Sequence, residues 1–151
     1  MSGKFDEKRI INGSYGELWI DGAQIAEVSS VELNVDLDRE EIKLAGQLEK
    51  GSKITGIEGT GSFTVKKVFS RFQTFWKNLK LGMDQTFIMI VKLDDPDAFG
   101  AERFVASGCK FEGSLPIMKF ESDSIVEHDY SIKFKPSDSE FVSVVIDPAM
   151  I

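Results

Sequence analysis

An alternation between residues 31 and 38 is the feature that most constrains the fold of this chain. Valine and leucine occupy the odd positions, and Glu, Asn, Asp and Asp occupy the even ones. Successive side chains of a β-strand point to opposite faces of a sheet, so this pattern predicts a strand with one dry face and one wet, acidic face. The chain must therefore provide a sheet and a core for that strand to cover.

Most of the remaining sequence also indicates β-structure. Asp21-Gly22 is a pair that tolerates positive φ, which predicts a tight hairpin turn. Residues 86–93 are apolar on both faces, which predicts a central strand. The fold class is therefore mainly β, an antiparallel β-sandwich or barrel. Further strands are predicted at Tyr15–Ile20, Ile25–Val28, Ile42–Leu44, Phe63–Val65, Phe104–Phe111, Ile117–Phe120, Val126–Phe134 and Phe141–Ile146.

One segment departs from the two-residue period and predicts an amphipathic α-helix at about residues 69–81. Its apolar stripe repeats at spacings of three and four residues. Ser70 with Gln73 predicts a capping box at the start, and Gly82 predicts a left-handed cap at the end. The stripe consists of Phe69, Phe72, Phe75, Trp76 and Leu79.

Length and composition fit one soluble domain. The 151 residues, of which 42% are hydrophobic, suffice for one core. We expect a single domain, 1–151, with an N-terminal arm at 1–13 and a C-terminal arm at 136–151 that lack strong periodicity. The single cysteine, Cys109, cannot form an internal disulfide, which fits a reducing cytosol. The first residues contain no apolar signal region, and no run is long enough to span a membrane.

Charge argues against nucleic-acid binding and suggests complementary surfaces. The net charge of −7 repels phosphate, so tight DNA binding is not expected. The charges are segregated: residues 59–83 contain five Lys or Arg and no Asp or Glu, whereas acids cluster at 36–41. Such segregation is typical of surfaces that meet their opposites, and also of an ordinary solvated face.

Short motifs that resemble catalytic or metal sites lack the residues or the residue order that the corresponding chemistry requires. The stretch GQLEKGSK at 46–53 has the wrong order for a phosphate-binding loop and precedes no helix. Residues 95–100, DPDAFG, begin like a calcium loop but lack two oxygen ligands, so a hydrogen-bonded turn is predicted. His128, the only histidine, has no evident nucleophile partner. We predict no enzyme activity, no cofactor and no metal site.

Five stretches in order resemble the tail tube proteins of phages with contractile tails, in particular the tube subunits of defective prophages of Gram-positive bacteria. The resemblance covers about residues 13–110, and the ordered set is more specific than any single motif. The stretches are SYGELWIDGAQIAEV, the acidic strand ending in IKLAGQ, TGIEGTGSFTVKKV, SRFQTFWKNLKLG and LDDPDAFGAERF.

The resemblance implies a structural protein that assembles into hexameric rings stacked as a hollow tube, within a virion tail or a tail-like particle built in the bacterial cytoplasm. Its partners would be copies of itself and the sheath, baseplate, tape measure and tail terminator proteins. An extended hairpin loop contacts the adjacent ring in this family, and here it corresponds to residues 46–58. A loop that buries little on its own subunit can become ordered against the neighbouring ring. The residues assigned to this contact are Gly46, Lys50, Gly51, Lys53, Gly56 and Gly59.

The tube implied by the resemblance also suggests a role for the acidic and basic side chains. Acids facing the lumen would repel the phosphates of DNA, which then passes without specific binding. The basic helix face, with Arg71, Lys77 and Lys80, would face the sheath or a neighbouring subunit. The candidate lumen-facing acids are Asp36, Asp38, Glu40, Glu127 and Asp129.

Two other functions remain compatible with the sequence. One is a secreted tube-ring protein of the type VI kind, which shares the fold. The other is a closed β-barrel that binds a small ligand, which predicts a monomer with a filled cavity.

Overall fold

The computed structural model describes residues 6–147, and every strand pairing in it is antiparallel. The mainly β prediction is therefore confirmed. Three short 3-10 turns, Glu7–Arg9, Gly13–Tyr15 and Pro136–Asp138, accompany the strands. The regular elements are β1 Gly16–Ile20, β2 Ala23–Gln24, β3 Val28–Lys43, β4 Lys50–Lys66, α1 Gln73–Lys80, β5 Phe87–Leu93, β6 Glu102–Phe111, β7 Glu127–Phe134 and β8 Glu140–Ser143.

One sheet folds around the core, with the strand order β2-β1-β5-β6-β7-β4-β3 and with β8 added to β6. Strand β6 joins the two halves of this sheet, one formed by β2, β1 and β5 and the other by β7, β4 and β3. It pairs with β5 over residues 102–109 and with β7 at residues 110–111. The Asp21-Gly22 turn has positive φ at both residues, as predicted. The predicted strand Ile25–Val28 is wrong: the strand after the turn is Ala23–Gln24, and residues 26–27 form a second turn. Strand β5 is central in its half, also as predicted. The core combines Leu18, Met89, Ala106 and Cys109 of one half with Phe63, Val65, Tyr130, Ile132 and Phe134 of the other.

Helix α1 covers one end of this core through aromatic packing. The ring centroid of Phe72 lies 4.8 Å from that of Tyr130, and Phe75 lies 5.5 Å from Phe87. The helix is shorter than the predicted 69–81, and the Ser70 capping box is wrong, since Phe72 is the N-cap residue and makes no side-chain cap bond. Packing of Phe72 overrides the local cap signal. The C-terminal cap is confirmed: Gly82 has φ +75° and its amide donates to the Leu79 carbonyl at 2.9 Å.

Strands β3 and β4 form one long hairpin, which corrects the predicted loop at 46–58. The strands pair from Val28↔Val65 out to Lys43↔Lys50, so only residues 44–49 form the turn. Residues 50–58 carry too few apolar side chains to signal a strand, and their conformation is set by backbone pairing with β3. A register shift between Asp38 and Arg39 interrupts the ladder.

The molecule has two distinct ends. At the helix end lie α1, the start of β3 and the irregular segment 112–126, where the predicted strand Ile117–Phe120 is wrong. At the hairpin end, β7 stops opposite Gly59 and the β3–β4 hairpin continues past it. The loop 94–101 also lies there, because Leu93 and Glu102 line one cavity with Val35 and Phe134.

The predicted arms are in part attached to the rest of the fold, the N-terminal arm to the loop 94–101 and the C-terminal arm to the sheet. In the N-terminal arm, the amide of Asn12 donates to the buried Asp95 carboxylate at 2.9 Å. The C-terminal arm contributes β8, which pairs with β6. Residues 1–5 and 148–151 of these arms lie outside the described residues.

Candidate assembly surfaces

The five predicted lumen-facing acids lie on one face of the sheet. Paired residues of neighbouring strands share a face, and the register places Asp36 opposite Glu58, and Asp129 opposite Thr64. The other face of these strands carries the buried residues Phe63, Tyr130 and Ile132. We call the solvent side the polar face. It carries the acids Glu32, Asp36, Asp38, Glu40, Glu58, Glu127 and Asp129 and the bases Lys53, Lys66, Lys110 and Lys133.

Hydrogen bonds and ion pairs hold parts of the polar face in place. Lys133 pairs with Glu58 and, at 2.8 Å, with Glu112, and these contacts raise its pKa above the ordinary lysine value. The Thr64 hydroxyl donates to Asp129 at 2.5 Å, and the Thr60 hydroxyl donates to Asp36 at 3.3 Å. Strand alternation alone places Glu32 on the acidic face, although it is not among the five predicted acids. Glu58, Lys53, Lys66 and Lys110 join this face only through the register of β4 and β6.

The outer part of the hairpin has no core of its own. Strand β7 pairs with β4 only over residues 59–66, so residues 36–43 and 50–58, which we call the distal ribbon, have strand neighbours only in each other. At about 3.3 Å per residue the ribbon extends roughly 26 Å. Leu37 and Ile57, paired on the side away from the polar face, are 51% and 53% exposed, and Leu48 in the turn is 98% exposed.

Strand β3 is an open sheet edge along its whole length. Within residues 6–147 it pairs with β4 on one side and with no other strand. An exposed edge of this length presents unpaired amide and carbonyl groups, which favours pairing with another chain. This edge and the distal ribbon together form an unsatisfied border that runs from the start of β3 to the hairpin turn.

The glycines assigned to the inter-ring loop have different environments. Gly46 lies in the turn with φ +82°. Gly51 and Gly56 lie in the distal ribbon with Lys50 and Lys53. Gly59 instead lies in the inner part of β4 and is buried, where an added Cβ would approach the Phe134 carbonyl oxygen to 2.7 Å. Close approach of a neighbouring strand therefore explains this glycine.

The predicted basic helix face divides into two kinds of residue. Arg71 is not free: its guanidinium donates twice to Glu27, with Nη2 2.8 Å from Oε2, and this pairing lowers the pKa of Glu27. Lys77 and Lys80 are exposed on α1. Phe69, Trp76 and Leu79 of the predicted stripe are also exposed, so only Phe72 and Phe75 contribute to core packing.

The remaining candidate sites, at Asp95 and His128, are explained by local hydrogen bonding and packing. Asp95 accepts from the Asp97 amide at 2.9 Å, which confirms a hydrogen-bonded turn at residues 95–100. His128 is buried beside Tyr130, and burial lowers its pKa. Within residues 6–147 no group of three His, Cys, Asp or Glu side chains is placed to hold a metal ion. In the same range, no helix combines the length and apolar character needed to cross a bilayer.

Comparison with known proteins identifies the family. Residues 3–142 match the family model described as "Phage tail tube protein". The chain belongs to this phage tail tube family. It is 30% identical over 138 residues to the phage-like element PBSX protein XkdM of Bacillus subtilis strain 168, covering 85% of this chain and 94% of that protein. It is 32% identical over 131 residues to the uncharacterized protein YqbM of the same strain, covering 85% and 88%.

Two solved structures, a sheath-tube complex and a tube-terminating cap, share the fold. The sheath-tube complex of an extracellular contractile injection system gives a TM-score of 0.67 at 10% identity, covering 89% of this chain and 92% of that one. The terminating cap of the anti-feeding prophage gives a TM-score of 0.71 at 8% identity, with 95% of each chain covered. The protein is therefore a β-rich tail tube component of a phage or phage-like particle, in a family of structural proteins.

Proposed function

We propose that this tail tube protein assembles into hexameric rings that stack into the inner tube of a contractile tail or tail-like particle. The observation that carries the proposal is the combination of an open β3 edge with a ribbon that extends past the sheet. A lone subunit leaves the backbone groups of that edge and the apolar side chains of that ribbon in water. Repeated association with copies of the same chain covers both.

The polar face supports the assignment of a lumen wall. It brings together all five predicted acids and adds Glu32 and Glu58, on the side of β3, β4 and β7 opposite the core. Acidic side chains repel DNA phosphates, so DNA passes along such a wall without specific binding. On this proposal the polar face lines the channel and the other half of the sheet faces outward.

The other partners follow from the position of the tube in a contractile tail. The outer surface meets the sheath, with Lys77 as a candidate contact, and Lys80 is a candidate contact with a neighbouring subunit. The tube ends meet baseplate and terminator proteins, and the tape measure protein occupies the channel during assembly. One of the similar structures is a sheath-tube complex and another is a sheath/tube terminator, which supports these assignments.

Electron microscopy with light scattering on the concentrated protein tests the proposal. We expect six-fold rings and tubes. Isolated rings that never elongate would favour the type VI-like alternative. A monodisperse monomer at high concentration would contradict the tube and favour a ligand-binding barrel.

A further inference from the structure

The distal ribbon needs a receiving surface, and the opposite end of the molecule provides one. At the helix end, exposed aromatic and aliphatic side chains adjoin lysines around a shallow cavity of about 160 Å³ whose lining includes Lys67, Trp76 and Ile117. Arg71 also lines this cavity and stacks on Phe69, 5.0 Å from the ring centroid. We define the helix-end surface as Lys67, Phe69, Trp76, Lys80 and Ile117.

Charge favours contact between the two ends. Residues 94–102, beside the base of the hairpin, carry four acids and no Lys or Arg, and Asp94 and Asp97 are exposed. The segment 59–83, which supplies most of the helix-end surface, carries no acid. Opposite surface charges attract and fix the orientation of an encounter, and like charges disfavour contact between identical ends.

Exposed apolar side chains also favour contact between the hairpin end of one subunit and the helix end of another. Leu37 and Ile57 lie on the ribbon side away from the polar face, so they stay available when the polar face lines a channel. Phe69 and Trp76 are the corresponding exposed rings at the other end. Clusters of this kind mark protein contact sites. Contact between two different patches is heterologous, and it repeats indefinitely when translation along one axis relates successive copies.

We propose that the side of the distal ribbon that carries Leu37, Ile54 and Ile57 packs against the helix-end surface of a second copy of this chain in the adjacent ring. This inference rests on the proposed function, and it names the surface that receives the hairpin. The ribbon then lies between the channel and the helix end of the next subunit. The acidic loop 94–102 faces the lysines of that subunit.

Cysteine cross-linking of assembled protein tests this contact. Leu37→Cys and Phe69→Cys proteins are mixed in equal amounts, assembled and treated with a short bismaleimide. Native Cys109 gives no background, because it is 0% exposed and burial raises its pKa to about 11. We expect up to about half of the mixed protein to shift to covalent dimers, because in a random assembly each subunit meets the other variant in about half of these heterologous contacts. A protein carrying both substitutions should form a ladder of higher oligomers.

Phe99→Cys is the matched control. Phe99 is also an exposed phenylalanine under an arginine, Arg9, but it lies in the loop 94–101 at the hairpin end. Leu37→Cys mixed with Phe99→Cys should remain monomeric on the gel. Dimers of Leu37→Cys with Phe99→Cys, or with itself, and none with Phe69→Cys would overturn the inference.

Electron microscopy of the same samples distinguishes a wrong receiving surface from a wrong proposed function. Tubes that form without the Leu37–Phe69 cross-link would overturn the receiving surface and leave the proposed function intact. Absence of rings and tubes from the unsubstituted protein would overturn the proposed function, and the inference with it.

Discussion

Glu27 and Arg71 connect the sheet to the helix. Glu27 immediately precedes β3, Arg71 lies just before α1, and the two side chains form a two-point ion pair that is largely shielded from solvent. Two parallel N–H···O bonds fix orientation as well as distance. This pair sets where the chain enters the helix, and it therefore helps to define the helix-end surface.

Replacing Glu27 with Gln should destabilise the fold in a pH-dependent way. Because Arg71 lowers the folded-state pKa of Glu27 below 4.5, its carboxylate stabilises the fold above that pH. The stabilisation is lost as the pH falls through the folded-state value. We expect a loss of about 1.5–3 kcal/mol near neutral pH, the usual contribution of a hydrogen bond to a charged group.

Urea unfolding of the native and Glu27→Gln proteins, followed across acidic and neutral pH, measures this difference. The two unfolding free energies should converge on acidification. Glu49→Gln, in the exposed hairpin turn, is the control and should leave stability unchanged at every pH. A Glu27→Gln difference that stays constant into acid would contradict the assignment.

Gly61 should not tolerate a larger side chain. An added Cβ would lie 2.6 Å from Leu33 Cδ2 and 2.9 Å from the Glu32 carbonyl oxygen. We expect Gly61→Val to lower the free energy of unfolding by about 1–3 kcal/mol, as overpacking of a core does. Gly51→Val is the matched control, because the nearest atom to its Cβ is the Ile42 carbonyl oxygen at 3.8 Å. Equal stability of the two variants in urea unfolding would contradict the packing argument.

Among the elements, those that bury one face were predictable from the sequence. The alternation at 31–38 predicted β3, and the turn residues Asp21-Gly22 predicted the β1–β2 hairpin. Strand residues 50–58 could not be predicted this way, since they contact no core and leave no apolar period. The start of α1 also escaped prediction, because packing of Phe72 against Tyr130 determines it.

The candidate surfaces were predictable only in part. Alternation placed Asp36, Asp38 and Glu40 on one side of β3, but only the register with β4 and β7 brings Glu127 and Asp129 onto the same face. The pairing of Arg71 with Glu27 was invisible, because the two residues lie 44 positions apart. Contacts of this kind depend on topology, which a local pattern does not contain.

Shortening the hairpin should separate folding from stacking. Replacing residues 38–56 with Asn-Gly joins the paired residues Leu37 and Ile57 through a two-residue turn. The shortened protein should unfold cooperatively and retain the core, because no buried core residue lies in the removed segment. It should form rings and no tubes when viewed by electron microscopy.

The control for the shortened hairpin replaces only Gly46-Gln47 with Asn-Gly, which keeps the distal ribbon. This variant should form tubes of normal appearance. Normal tubes from the shortened protein would show that residues 38–56 are not the contact between rings.

Across the whole molecule, acidic and basic side chains concentrate on different surfaces. Acids dominate the polar face and the loop at the hairpin end, whereas lysines concentrate around α1 at the other end. In the proposed tube, the first pattern keeps the channel from holding DNA and the second orients one ring on the next. The net charge of −7 therefore averages two surfaces with different roles.

Reversing the lumen charges should make tubes retain DNA. We expect a protein with Asp36→Lys, Asp38→Lys and Glu40→Lys to assemble, because these side chains lie on the exposed polar face away from the core. Short duplex DNA present during assembly should then sediment with the tubes. Because the attraction comes from counterion release, retention should fall steeply as salt is raised.

The matched control carries Glu121→Lys, Asp123→Lys and Glu140→Lys, which changes the net charge equally at exposed sites outside the polar face. Tubes of this control and of the native protein should pellet without DNA, since the channel wall stays acidic in both. Equal DNA retention by the two reversed proteins would mean that total charge, and not the polar face, governs binding. Because lumen-bound DNA is enclosed, its retention in the first variant should also resist nuclease at low salt, whereas DNA on the outer surface is digested.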